Sequence, residues 1–266
     1  MRRLTALLGL LASLTLTSPA FAEDEFDPGY GTRFLQTSTP LVNTPGVLEA
    51  VFQHRFNQPV NEGGGNNLGG LDSGANIGLG VNFVPTKNLA FEIYRSSNLG
   101  DYEFSAKWTA RKPTKSLPIA IGLRAGANWL TKTELDKKAG VFGQLLVAAT
   151  LGERFTIGIA PSFVSNTPAY TDVWNVPLIV QAKVGRSWYA TGEYVFRNQD
   201  LKGSVGQWSF AVEKSVFMHR FSVWIGNSGA LTVDQSLAGD YGGGVKESNV
   251  RLGFNIIRQF EIFSTP

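Results

Sequence analysis

The sequence predicts an all-β fold: a closed, antiparallel, up-and-down transmembrane β-barrel of about 12 strands behind a cleaved export signal. Three observations carry this. Apolar residues recur with a period of two, not 3.6. The segments that show this period are joined by connections that alternate between short and long. Aromatic residues gather at both ends of the segments.

The chain has 266 residues. Its first element is Arg2-Arg3, followed by an apolar stretch from Leu4 to Thr17 and a small-x-small site at Ala20-Phe21-Ala22. Residues 1–22 therefore read as a signal peptide, with Glu23 starting the mature chain. The apolar stretch is too short for a spanning helix. Without Arg2 and Arg3 the basic count falls to 22 against 21 acidic residues, so charge gives no case for nucleic acid. The absence of cysteine excludes a disulfide scaffold, a thiolate metal site, a c-type haem and a lipidated cysteine. Charged residues reach only 17%, below the roughly 25% of soluble domains.

Residues 23–45 come next. They are polar, carry Pro28, Pro40 and Pro45, and have Arg33 as their single basic residue. They are expected either to hang in the periplasm or to fold into the barrel as a plug. Residues 46–266 form the barrel itself. Its clearest strands read Ala75, Ile77, Leu79, Val81, Phe83 and Ile119, Ile121, Leu123, Ala125, Ala127, Trp129, with small or polar residues between. Twelve segments follow this pattern, near 47–57, 73–83, 89–96, 101–110, 118–129, 140–151, 154–164, 174–184, 188–198, 206–214, 219–227 and 248–258. Scattered glycines oppose a helical reading. The short turns are 84–88, 111–116, 152–153, 185–187 and 214–218; long loops cover 58–72, 130–139, 165–173, 199–205 and 228–247, with 97–100 a short exception. An even strand number puts both ends of the barrel on the short-turn side, facing the periplasm.

On the apolar face, Phe83, Trp108, Phe155, Trp188 and Phe221 lie beside short turns, while Phe56, Trp129, Phe163, Trp174, Phe196 and Trp208 lie beside long loops. Two belts result, one for each membrane interface. A sheet in hydrocarbon leaves no edge unpaired, so it closes on itself. A secreted β-sandwich is the competing fold, but it would not sort aromatics to both rims.

If the apolar positions face lipid, the alternate ones face the lumen. They include Glu49, Gln53, Arg55, Glu92, Glu103, Lys107 and Arg124, then Gln144, Lys183, Glu193, Arg197, Glu213 and Arg251. Acids and bases nearly balance. Two outcomes are open: a polar pathway whose charges set ion preference, or a barrel filled by cross-lumen pairs. Unpaired buried charges would be too costly, so water or partner charges must be present. Residues 228–247 are long enough to fold inward, although Gly239 and Gly242–Gly244 favour mobility.

The favoured function is a narrow porin-like channel for small hydrophilic solutes. The alternative is a closed structural or docking barrel acting through its long loops. The expected surroundings are outer-membrane lipid, lipopolysaccharide and the barrel-assembly machinery, with no nucleic acid. No cofactor or metal is expected: His54 and His219 fall on opposite rims, and Asp72, Asp234 and Asp240 lack an EF-hand spacing. No catalytic set is assigned. The one enzymatic reading is lipid hydrolysis by Ser73 and His54, which a hairpin centred near residue 64 would place opposite each other on the outer rim.

Thr32-Arg33-Phe34-Leu35, Pro45-Gly46-Val47-Leu48-Glu49, His54-Arg55-Phe56, Asn67-Leu68-Gly69-Gly70-Leu71-Asp72 and Tyr94-Arg95-Ser96-Ser97 together resemble a bacterial barrel family known as domain of unknown function 5777. The likeness is sharpest over roughly residues 31–110. It implies an outer-membrane barrel and brings no activity or catalytic residue. At the far end, Arg251 to Ile256 alternates, but the pattern slips at Ile257-Arg258, leaving the last strand to end at 258 or 263.

Overall fold

The computed structural model describes residues 26–132, 138–167, 172–197, 204–238, 246 and 248–263. The expected signal at 1–22 and Gly239 to Gly244 lie outside them. One antiparallel sheet contains every named strand. In chain order these are β1 (Val47–Phe56), β2 (Ala75–Thr86), β3 (Leu89–Ser96), β4 (Asp101–Arg111), β5 (Ile119–Leu130) and β6 (Ala139–Leu151). Then come β7 (Phe155–Ile159), β8 (Ser162–Val164), β9 (Val173–Asn175), β10 (Leu178–Lys183) and β11 (Trp188–Val195). The last three are β12 (Gln207–Val216), β13 (His219–Gly226) and β14 (Arg251–Glu261). Each crossing pairs with its sequence neighbours, and β1 pairs with β14, so the sheet is a closed ring.

There are twelve crossings because β7 and β8 are two parts of one, as are β9 and β10. Both pieces of the first lie against β6, at Val147↔Ile159 and Gln144↔Ser162. The interruptions fall at Pro161 and Pro177, where the sequence reading had unbroken strands over 154–164 and 174–184. Proline has no amide hydrogen to give the ladder. The wall is mended locally. Ala160 N donates to Pro177 O at 3.1 Å, Leu145 N donates to Pro161 O at 2.9 Å, and the Ser162 hydroxyl donates to Ala160 O at 2.6 Å.

The sheet is inside out relative to a soluble one. Val223 is 70% exposed and Trp174 76%, while Gln53 and Arg55 are 0% exposed. Outward apolar side chains suit hydrocarbon, and polar groups turned inward must find partners there. Every belt aromatic predicted above has outward parity and none is buried. At the seam, β14 runs to Glu261 without a slip. Ile257 continues the inward parity and packs with Val51, Tyr94 and Leu231, which accounts for an apolar residue at a lumenal position.

Two stretches outside the wall fill the ring. Residues 30–43 run along its inner face before the chain turns into β1 at Gly46. There φ is +82°, and a Cβ would strike the Phe263 carbonyl, so glycine is required. Residues 228–238, including the short helix α1 (Val233–Leu237), fold down from the other end. Leu237 packs against Phe142, Val164, Val173 and Val195. Four further residues, Val60–Gly63, form a second helical turn in the loop after β1. Among the described residues no helix is long and apolar enough to cross a membrane.

Candidate functional site in the lumen

The lumenal charges arise from strand parity. Lys107 on β4 stands beside Arg124 on β5, and Glu92 and Glu103 point inward from β3 and β4. Arg124 pairs with Glu92 at 2.9 Å, with Glu103, and through Nη1 with Gln144 Oε1 at 3.0 Å. Arg33 of the inserted segment joins the same cluster by pairing with Glu92. Lys107 Nζ donates to the Thr32 carbonyl at 2.8 Å. The cluster is buried, and each carboxylate in it has a cation. That satisfies the requirement for enclosed charge.

A second inward cluster lies on the opposite wall. Glu213 pairs with Arg220 at 3.2 Å and accepts from Thr191, Gln181 and Ser222. Arg55 differs from both. It is fully buried, stacks on Trp224 with its guanidinium carbon 4.2 Å from the ring centre, and among the described residues donates to the His54 and Phe254 carbonyls alone. Its Nε and Nη2 have no partner among the described residues.

The inserted segment is held by a different device. Glu193 accepts the backbone amides of Leu35 at 2.7 Å, Gln36 at 3.1 Å and Thr37 at 3.3 Å. One carboxylate thus caps a tight turn of three amides, a charge-assisted arrangement. Gln53 and Asn255 both donate to the Leu35 carbonyl, Glu49 accepts from Thr32 and Asn43, and Thr109 donates to Pro40 O at 2.8 Å. The folded-in loop is fixed through β4. Thr232 Oγ1 donates to Asp101 at 2.6 Å, Gln235 Nε2 to Asp101 at 2.8 Å, and Val233 N to Glu103 at 2.7 Å. The gap left between the two inserted stretches has a volume of about 20 Å³, room for about one water. A wider vestibule of about 320 Å³ opens at the short-turn mouth.

Glu49, Arg55, Glu92, Glu103, Lys107, Arg124, Glu193 and Glu213 are all buried in this interior. Arg251 is half-buried at the long-loop rim and donates to the Asn57 and Asn227 carbonyls. Lys183 ends β10 and Arg197 lies past the end of β11. Both are exposed at the rims, where the strand no longer walls a lumen. Asp101 and Arg220 were missed, although each shares the parity of a neighbour that was chosen. The proposed Ser73–His54 pair does not form. His54 stands opposite Ile77 and stacks on Phe254, with ring centres 5.0 Å apart. The Ser73 hydroxyl instead closes the loop, accepting from Gln58 N and donating to Gly70 O. The hairpin axis falls between residues 65 and 66, so Ser73 lies beyond the ladder.

Asp234 in the folded-in loop is buried beside Asp101. Burial first, and the neighbouring Asp101 and Glu103 next, raise its carboxyl well above the ordinary 3.8; Thr232 opposes the rise. The folded loop therefore holds the Asp234 proton more tightly than a released loop does. The resulting stabilisation is complete below the ordinary value and is lost as pH climbs through the raised one. Hydrogen-exchange protection of 232–238, corrected for intrinsic rates, is expected to fall with rising pH. In Asp234→Asn the dependence is expected to flatten.

A model of the family described as Membrane bound beta barrel domain (DUF5777) matches residues 30–260. The chain belongs to this family. Because the match starts at Tyr30, the DUF5777 region takes in the inserted segment as well as the wall. This DUF5777 protein is an outer-membrane β-barrel. No curated protein matches it. Among solved structures it is similar to the COG4313 outer membrane channel from Pseudomonas putida F1, at 13% identity and a TM-score of 0.51, over 89% of this chain and 100% of that one. It is also similar to an active-site mutant of outer membrane phospholipase A from Escherichia coli, at 9% identity and a TM-score of 0.47, over 85% and 94% of the two chains. At such identities the first likeness concerns the fold, and the second carries no argument about function.

Proposed function

We propose that this chain is a narrow, gated channel for small hydrophilic solutes, shut by residues 30–43 and 228–238. The supporting observation is what occupies the lumen. Large wall side chains such as Trp224, Tyr94 and Arg55 fill part of it. Here the wall has glycines where the inserted segment passes: a Cβ on Gly122 would meet Pro40, and one on Gly158 would touch the Phe34 ring. The occupant is a separate strap that combines polar contacts with the packed side chains Tyr30, Phe34 and Leu35, and withdrawing it together with residues 228–238 would leave a bore lined largely by polar and charged groups. The Pseudomonas neighbour is described as an outer membrane channel, which agrees with this reading.

The strap hangs on Glu193, so Glu193→Ala is the direct test. It leaves three amides without their acceptor and removes charge-assisted bonds worth about 1.5–3 kcal/mol. Purified full-length protein in a planar bilayer is expected to be mostly silent. The variant is expected to show discrete steps, with open probability raised about 10- to 100-fold. A folded variant that stays silent would favour the closed docking barrel instead.

A further inference from the structure

Charge is distributed unequally between the two rims. The five short turns, taken as 85–88, 111–118, 152–154, 183–187 and 214–218, contain eight lysines and arginines and one carboxylate, Glu153. The long connections, taken as 57–74, 97–100, 131–138, 165–172, 196–206 and 227–250, contain six bases against nine acids, one of which, Asp234, is buried in the lumen. No short turn lacks a cation, while the two barrel ends bring the carboxylates Asp27 and Glu261 to the same mouth.

Position along the wall points to its counterpart. Arg111, Lys214 and Arg258 have lipid-facing parity at the short-turn ends of β4, β12 and β14. Lys214 Nζ lies 4.5 Å from the centre of the Trp188 ring, and the Arg258 guanidinium carbon lies 4.8 Å from that of Phe260. These cations thus grow out of the aromatic belt that marks the membrane interface, and their long stems reach the level of lipid headgroups. Both ends of the barrel also lie at this mouth, as Gly46 bonds to Ile262 and Phe263. That is the usual periplasmic side of a short-turned barrel.

We propose that the short-turn rim is a collar that binds anionic phospholipid headgroups, of the phosphatidylglycerol type, in the periplasmic leaflet. Basic residues at a membrane surface attract anionic lipid over zwitterionic lipid, and the attraction is screened by salt. Aromatic neighbours hold Lys214 and Arg258 at the right depth. The collar does not depend on whether the lumen conducts.

Native mass spectrometry of the full chain, from micelles holding equal phosphatidylglycerol and phosphatidylethanolamine, tests this. Retained phosphatidylglycerol is expected to exceed phosphatidylethanolamine about five-fold or more. In the variant Arg111→Gln/Lys214→Gln/Arg258→Gln the ratio is expected to fall toward one. Heat-modified mobility on gels verifies that this variant is folded. The matched change on the other rim, Lys132→Gln/Lys138→Gln/Arg197→Gln, is expected to leave the preference intact. Equal retention by the unmodified protein overturns the proposal, as does a preference that survives the short-turn variant or vanishes in the long-loop one. Capture of a polyglutamate peptide without lipid preference overturns it in favour of an acidic protein partner.

Discussion

Replacing Arg124 with methionine is expected to cost about 3–5 kcal/mol of stability, the loss typical when one partner of a buried ion pair is removed. Arg124 is the cation shared by Glu92 and Glu103. Without it Glu103 has no ion-pair partner among the described residues, and Glu92 keeps only Arg33. Urea unfolding in vesicles, followed by tryptophan fluorescence, measures the loss. The double variant Arg124→Met/Glu103→Gln removes the stranded charge and is expected to recover a substantial part of the stability. If the double variant is no more stable than the single one, the damage comes from lost packing, since Arg124 also lies 5.0 Å from the centre of the Phe142 ring.

A larger functional effect is expected from one added side chain. In Gly122→Val the new Cβ would lie 2.7 Å from the Pro40 carbonyl oxygen and 2.9 Å from its Cα. The wall strand is hydrogen-bonded on both sides, so the strap must yield. Overpacking of this kind costs about 1–3 kcal/mol, which shifts a closed strap about 5- to 150-fold toward release. Bilayer conductance is expected to rise although no charge has changed. The same substitution at Gly143, where a Cβ meets nothing within 4 Å, is expected to be silent. A Gly122→Val protein that folds and stays shut would mean that the strap is not the gate.

The wall was legible from sequence because hydrocarbon imposes a strict parity on it. β3 at Leu89–Ser96 matches its predicted segment residue for residue, and most other strands differ by a few residues. Proline escaped that reading. Pro161 and Pro177 sit in apolar alternation, and only the register shows that Ser162 replaces the lost donor. The lumen was less legible. The strap has no periodicity, and its partners are far away in the chain: Arg33 meets Glu92, and Leu35 meets Glu193. Long-range polar pairing of this kind leaves no local pattern. Ile257 illustrates the same limit. It looked like a slip because the apolar residues it meets, Tyr94 and Leu231, are supplied by another wall and by the folded-in loop.

The Leu35 carbonyl has a consequence for assembly. It accepts from Gln53 on β1 and from Asn255 on β14, the two strands that close the ring. Gln53 and Asn255 are themselves opposite each other across that junction and are bonded at 3.2 Å. The strap therefore spans the joint that closes the ring. A cylinder closed around such a mandrel has its circumference set by it, because a ring with one strand more or fewer would not bring both amides to a single oxygen.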